Sequence, residues 1–134
     1  MIPTNSMHES DVDLDAYFAR IGYTGTREPT LEVLRGIVLQ HTQTIAYENL
    51  NPLLGWPVEL DRAALQHKLV RMGRGGYCYE QNGLLSQMIQ ALGFSVRHLA
   101  ARVLWNRVIA TPPPRTHMLL YVTIDAQPYL VDVG

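Results

Sequence analysis

An α+β fold is predicted for this chain of 134 residues, on three observations. Apolar residues recur at helical spacing in four stretches before Gly93, three of them closed by a glycine. After Gly93 the spacing shortens, and His117 to Ile124 alternates strictly between apolar and mixed positions. A turn and a second β-rich run follow directly. The expected organisation is a helical bundle over residues 1–93, then an antiparallel β unit over residues 94–134.

The elements follow in order. Met1 to Ser10 is polar and without periodicity, and is expected to be mobile. Asp13 caps a first helix with Leu14, Tyr17, Phe18 and Ile21 on one face and Gly22 at its end. Tyr23 to Pro29 is a loop, and Thr30 caps a second helix whose Leu31, Leu34, Ile37, Val38 and His41 share a face. On that apolar stripe His41 is expected to be a packed histidine holding one hydrogen bond, in preference to a ligand or base. Asn51 to Leu60, with Pro52, Gly55 and Pro57, reads as a loop. Asp61 then caps a third helix, with Ala64, Leu65, Lys68 and Leu69 on one face, ending at Gly73.

The fourth helix follows Arg74-Gly75-Gly76-Tyr77-Cys78-Tyr79-Glu80-Gln81-Asn82, which holds the only cysteine of the chain. Leu84, Leu85, Met88, Ile89 and Leu92 form its apolar face, and Gly93 ends it. Cys78 falls in the first turn, among unpaired N–H groups and the positive end of the helix dipole, which favour the nucleophilic thiolate. The paired glycines allow close backbone approach and leave the sulfur uncrowded. A small buried apolar cysteine is the alternative, and this stretch alone leaves both open.

Phe94 to Trp105 is rich in β-formers with imperfect alternation, and Asn106 to Arg115, with Pro112-Pro113-Pro114, is a stiff connection. His117 to Ile124 is the clearest strand: Met118, Leu120, Val122 and Ile124 on one face, His117, Leu119, Tyr121 and Thr123 on the other. A turn at Asp125-Ala126-Gln127 leads to a second strand, Pro128 to Val133. A two-residue turn at Asp125-Ala126 sets Asp132 opposite Leu119 and diagonal to His117 on one face. Diagonal neighbours lie about 7–8 Å apart, within reach of inclined side chains. A slip of one residue puts Asp132 on the other face.

Composition narrows the classes of function. Apolar residues make up 47% and charged residues 17%, ordinary for one globular core. Net charge is −1 and the pI is near 6.5; basic residues form no stripe, so neither nucleic acid nor a membrane surface is an expected partner. No apolar run approaches the roughly 18 residues of a membrane span, and there is no signal-peptide pattern. A lone cysteine forms no internal disulfide, which makes the cytoplasm the expected compartment. One cysteine and five scattered histidines show no ligand spacing, and no metal is expected. Gly73-Arg74-Gly75-Gly76 lacks the ending of a phosphate-binding Walker loop.

Cys78, His117 and Asp132 together supply a nucleophile, a base and an orienting carboxylate. The residues themselves lead to an activated thiol for acyl transfer, with protease, transglutaminase, thioesterase and acetyltransferase chemistry all open.

Arg74 to Asn82, Thr116-His117-Met118-Leu119-Leu120 and Tyr129-Leu130-Val131-Asp132-Val133-Gly134 resemble, in order and spacing, the arylamine N-acetyltransferases. Ile45-Ala46-Tyr47-Glu48-Asn49-Leu50 resembles a further element, in which the family often has proline and phenylalanine where this chain has Ala46 and Tyr47. The resemblance runs from about Leu14 to Gly134. It implies a cysteine-protease-like arrangement of helical bundle, β-barrel and α/β lid, with the active site between the first two. It also implies transfer of acetyl from acetyl-CoA through a Cys78 thioester to an arylamine or arylhydrazine, as in xenobiotic metabolism. Tyr47 matches an aromatic of the acceptor pocket, against core packing as the alternative. Glu48 and Arg74 are expected to pair, holding the Tyr47 segment against the Gly75-Gly76 turn, with Glu80 as a competitor for Arg74 or a cap of the helix.

Family members are considerably longer. The expectation is a fragment, or a chain completed by a partner, with bundle and first barrel strands but no lid. Such a piece would keep its triad, lose much transfer activity and risk self-association through an unfinished β edge. The rival classes are a transglutaminase-like or other cysteine hydrolase, which needs no CoA, and a non-catalytic helical interaction domain with an unreactive Cys78.

Overall fold

Caps and glycines set the helix boundaries in the computed structural model, which describes residues 12–134 apart from 107 and 109. The stretch Met1–Ser10 lies outside the described residues. Asp13 Oδ1 accepts from the Ala16 N–H at 2.9 Å to start α1 (Leu14–Ile21), and Gly22 ends it at φ 72°. Thr30 Oγ1 accepts from the Val33 N–H at 3.3 Å to start α2 (Leu31–Thr44). Tyr17, Phe18 and Ile21 of α1 meet Val33, Leu34 and Ile37 of α2 in the core.

Two corrections fall between α2 and the cysteine. The stretch read as loop from Asn51 opens with a short helix, α3 (Leu50–Leu53). Pro52 lies in its first turn, where the missing N–H has no intrahelical acceptor to lose. The helix capped by Asp61 is split: α4 (Arg62–Leu65) widens into a π-helical turn over Gln66–Arg71 before Gly73 at φ 65°. Gln66 sits in this wider turn with its buried amide bonded across to Asp13 N and back to Arg62 O. Lys68, expected on the apolar face, leaves it to pair with an acid.

The central element is α5 (Cys78–Ala91), whose Leu84, Leu85, Met88 and Ile89 are fully buried. It packs on α1, α4 and two strands of the sheet. The sheet is antiparallel, in the order β1 (Ser95–Ala101), β2 (His117–Ile124), β3 (Gln127–Val131). The first strand is shorter than the expected Phe94 to Trp105. Residues from 102 leave the ladder, and Arg102 Nε donates to Pro113 O at 2.8 Å across the base of the connection.

Met118, Leu120, Val122 and Ile124 are buried on one face of β2, while the alternate residues are half-buried. The turn is two residues long, with Asp125 and Ala126 both left-handed at φ 49° and 62°, the geometry that matches strand twist. Pairing from Ile124↔Gln127 to Leu120↔Val131 sets Asp132 against Leu119 one step further, as the sequence register required. Helices and sheet share one continuous core across Gly93.

Candidate active site

Cys78 is the first residue of α5, with Tyr77 extended before it and Glu80 reaching back to accept from the Tyr77 N–H at 3.0 Å. Glu80 therefore caps the helix. Cys78 is 5% exposed, and Sγ lies 3.9 Å from the carbonyl oxygen of Thr116, the residue before His117.

The turn before the cysteine admits no side chains. A Cβ on Gly75 would fall 2.0 Å from the Ala46 carbonyl oxygen, and one on Gly76 would fall 2.6 Å from Glu80 Oε2. The closeness arises because the turn is zipped to residues 46–48. Gly76 N donates to Ala46 O at 3.2 Å, and Glu48 N donates to Gly76 O at 3.0 Å. Gln81 adds a second clasp, donating from Nε2 to Ala46 O at 2.8 Å and Gly76 O at 3.2 Å. Its Oε1 accepts from His41 Nε2 at 2.7 Å, and His41 Nδ1 accepts from the Tyr17 hydroxyl at 2.8 Å. His41 is thus a buried structural histidine with two bonds where one was expected. Burial pushes its pKa down to about 4; the Gln81 bond opposes this and the Arg20 charge adds to it. Burial also raises the pKa of Tyr17, consistent with a hydroxyl that donates.

His117 and Asp132 meet. His117 Nε2 and Asp132 Oδ2 are 2.6 Å apart, which makes Nε2 the protonated nitrogen when the ring is neutral and leaves Nδ1 for a second partner. Partial burial works to raise the Asp132 carboxyl. Hydrogen bonds from Asn82, His117 and the Gly134 N–H outweigh it and hold the group below its usual range. His117 and Asp132 are therefore joined at the facing ends of two strands, and the Cys78 sulfur at the N-terminus of α5 lies against the residue that precedes His117. A groove of about 420 Å³ between α2 and β3 reaches Asp132, walled by Leu34, Val38, Tyr129 and Val131.

The supporting residues divide. Arg74 Nη2 donates to Glu48 Oε1 at 3.2 Å and to Asn51 Oδ1 at 2.7 Å, so the expected pair forms. Glu80 takes a different partner, Lys68, at 2.5 Å, and Lys68 lies 3.8 Å from Glu48. Tyr47 is 61% exposed. It lies outside the core of the described residues, and its backbone bridges Gly76.

Three side chains to which sequence reasoning assigned no role at the site belong to the same constellation: Lys68, Gln81 and Asn82. Asn82 is fully buried, donating to Met118 O at 2.8 Å and Asp132 Oδ1 at 3.0 Å and accepting from Val133 N at 3.1 Å. For Gln81 and Asn82 a signal was present. Glu80, Gln81 and Asn82 are consecutive polar residues in the first turns of a helix whose neighbours on every side are apolar, which calls for buried partners. Among the described residues no group of three or more His, Cys, Asp or Glu could hold a metal ion, and no helix is long and apolar enough to cross a membrane.

A family model described as N-acetyltransferase matches residues 30–134. The arylamine N-acetyltransferase of Mycobacterium tuberculosis is 52% identical over 127 residues, covering 92% of this chain and 45% of the relative. That of Escherichia coli is 43% identical over 121 residues, covering 90% of this chain and 43% of its own length. The solved M. tuberculosis enzyme superposes with a TM-score of 0.87 at 52% identity, over 91% of this chain and 47% of the other. The Mycobacterium marinum enzyme in complex with CoA gives 0.85 at 51% identity, over 91% and 46%. The chain thus spans about half the length of the relatives it matches.

Proposed function

The chain belongs to the arylamine N-acetyltransferase family, and from that premise we propose that Cys78, His117 and Asp132 act as its acetyl-transfer triad. The observation that carries the reading is the 2.6 Å bond between His117 Nε2 and Asp132 Oδ2, formed beside the sulfur-bearing turn. That bond assigns the proton to Nε2 and turns the basic Nδ1 to the task of exchanging a proton with Cys78.

The reaction proceeds in two half-steps. The Cys78 thiolate attacks the thioester carbonyl of acetyl-CoA, and the tetrahedral intermediate collapses by expelling CoA thiolate, which takes the proton held by His117. The two sulfur leaving groups are alike, so acetyl exchange is nearly balanced. A neutral arylamine or arylhydrazine nitrogen then attacks the Cys78 thioester; His117 takes its proton and the Cys78 thiolate departs. The Cys78 backbone N–H, unpaired in the first turn of α5, is placed to donate to the oxyanion in both halves. Asp132 remains ionised and steadies the imidazolium between them.

Glu48, Arg74, Gly75 and Gly76 support the nucleophile by fixing the turn before it. Tyr47, exposed beside that turn, is proposed to face the acceptor. The three strands are proposed as the start of the barrel in the cysteine-protease-like arrangement, with residues up to 93 as the nucleophile-bearing unit and residues 94–134 as the unit bearing His117 and Asp132. No metal enters this chemistry, acetyl-CoA being a co-substrate, and the cytoplasm is the compartment that suits a free thiol.

The test is the intact mass of the protein after brief incubation with acetyl-CoA, with Cys78→Ala alongside. One acetyl group on the wild-type chain only, removed on adding an arylamine, is the expected result. Acetylation of both proteins, or of neither, overturns the assignment.

A further inference from the structure

Asn82 stands one helical turn beyond Cys78 on α5, so both project from the same face of the helix. Its side chain makes three bonds, and each goes to a different part of the proposed triad's support. Nδ2 donates to the carbonyl of Met118, the residue after His117, and to Asp132 Oδ1; Oδ1 accepts from the backbone N–H next to Asp132. Both polar atoms of the side chain are satisfied, and a flipped amide would set its oxygen against two acceptors. The orientation is therefore unique. Residues 132–134 are clamped over the Cys78 turn so closely that a Cβ on Gly134 would lie 2.7 Å from Cys78 Cα and 3.1 Å from Asn82 Nδ2.

We propose that Asn82 is a positioning residue, which ties the helix of the nucleophile to the strands of the base and the acid and holds the Asp132 carboxylate so that its second oxygen meets His117. Asp132 has two oxygens with separate duties: Oδ1 takes Asn82 and the Gly134 N–H, and Oδ2 takes His117. Without Asn82 the carboxylate loses one of its two Oδ1 donors, the one anchored on the nucleophile's helix, and the imidazole loses its alignment. The groups facing the carboxylate are His117, Asn82 and the Gly134 N–H, with no second acid among its bonded partners. The inference rests on the triad reading above, and the experiment separates the two.

The measurement is the rate of Cys78 alkylation by iodoacetamide at pH 6.5 on folded protein, for wild type, Asn82→Ala, Asp132→Asn and the double variant. Wild type is expected to react far faster than a free cysteine. Asn82→Ala is expected to slow it about tenfold, the effect of an imidazole that is no longer aligned. The double variant should be no slower than Asp132→Asn alone, because Asn82 acts through that carboxylate. Slow wild-type alkylation removes the triad reading itself. Fast alkylation in wild type and in Asn82→Ala alike overturns the positioning role, as does an additive double variant. A purely structural asparagine would lower the melting temperature and leave the rate of the folded fraction unchanged.

Two further measurements serve where Asn82→Ala does not fold. In the wild-type chain, the Asn82 side-chain amide protons should move in a nitrogen–proton correlation spectrum as Asp132 is titrated; static signals overturn the contact. Asn82→Asp places a second carboxylate against Asp132, and its alkylation rate relative to wild type should recover as pH falls and the pair comes to share a proton. A ratio flat with pH overturns the proposal.

Discussion

His117 and Asp132, fifteen positions apart in the chain, are joined by a 2.6 Å bond that depends on the register of one hairpin. Pairing fixed at Ile124↔Gln127 carries Asp132 to the position opposite Leu119, diagonal to His117. Replacing Asp132 by asparagine keeps the shape but takes away the charge and permits the wrong imidazole tautomer. Acetylation of Cys78 by acetyl-CoA should slow on the order of a hundredfold or more. Rapid-quench mass measurement decides it, and a rate within threefold or so of wild type sinks the role given to Asp132.

The pH dependence of stability should show two separate windows. His41 is buried neutral, with its pKa lowered from 6.5 to about 4, so the unfolded chain binds a proton that the folded chain refuses. Its contribution is complete above pH 6.5, falls as pH drops toward 4 and is constant below that, a loss of about 3 kcal/mol at most. Asp132 has the opposite chemistry and the same sign. Its carboxyl is held below its ordinary value of 3.8, so its contribution is intact above that value and is lost only as pH falls through the lower folded one. Urea titrations at pH 7, 5 and 4 should reveal the first window. In His41→Gln the slope between pH 6.5 and 4 should flatten; an unchanged slope would falsify the assignment to His41.

Much of this was legible because local rules and the tertiary fold agree. Asp13, Thr30 and Asp61 cap where their residue types predict, and the strict alternation of His117 to Ile124 survives as a strand with one buried face. The misreadings occur where tertiary contacts prevailed. Helical spacing through Ala64, Leu65 and Leu69 cannot reveal that Gln66 will be drawn to Asp13, opening a π turn. Pro52 argued for a loop, although a first helical turn tolerates it. The trio at the site came from residue type and motif. The Glu48–Arg74 pair came from motif as well, whereas Lys68 and Asn82 came from the structure, since nothing in a sequence pairs Lys68 with Glu80 or Asn82 with Asp132.

Lys68 and Glu80 form the most deeply placed charge pair, with side chains 13% and 1% exposed. Lys68→Met leaves a buried carboxylate without its cation and should cost about 3–5 kcal/mol. Adding Glu80→Gln to it removes the stranded charge while keeping an acceptor for the Tyr77 N–H, and should restore most of that loss. Denaturant midpoints for the two singles and the double test this. If the double variant is no more stable than Lys68→Met, the charge was not what made the single costly.

Gly75 and Gly76 are glycines because of what they touch. Their φ angles are unremarkable for any residue, since neither is among the positive-φ glycines, so alanine meets a steric barrier only. At Gly75 the obstacle is the Ala46 carbonyl, backbone that is itself held by Gly76 and Gln81. Gly75→Ala should therefore cost about 1–3 kcal/mol and displace the turn before Cys78. The signature is a lower melting temperature together with slower alkylation of Cys78 in the folded protein. A stable variant of undiminished thiol reactivity would show that the zipper does not hold the nucleophile.

The hairpin turn offers a gain in stability that leaves the chemistry alone. Asp125 and Ala126 both adopt φ above 45°, a region that aspartate tolerates and alanine does not, while the turn type prefers Asn-Gly. Ala126→Gly relieves the strain of a Cβ in the left-handed region, offset in part by the greater freedom glycine gives the unfolded chain. Asp125→Asn keeps a residue suited to that region and completes the preferred pair. The double variant should be about 0.5–1 kcal/mol more stable. Because the turn length is unchanged, the register from Ile124↔Gln127 onward is kept, and His117 should still meet Asp132. Thermal melts and Cys78 alkylation at pH 6.5, run together, check both halves. A stabilised protein with wild-type reactivity supports the type of turn and the register, whereas altered reactivity would mean that the turn residues tune the position of Asp132.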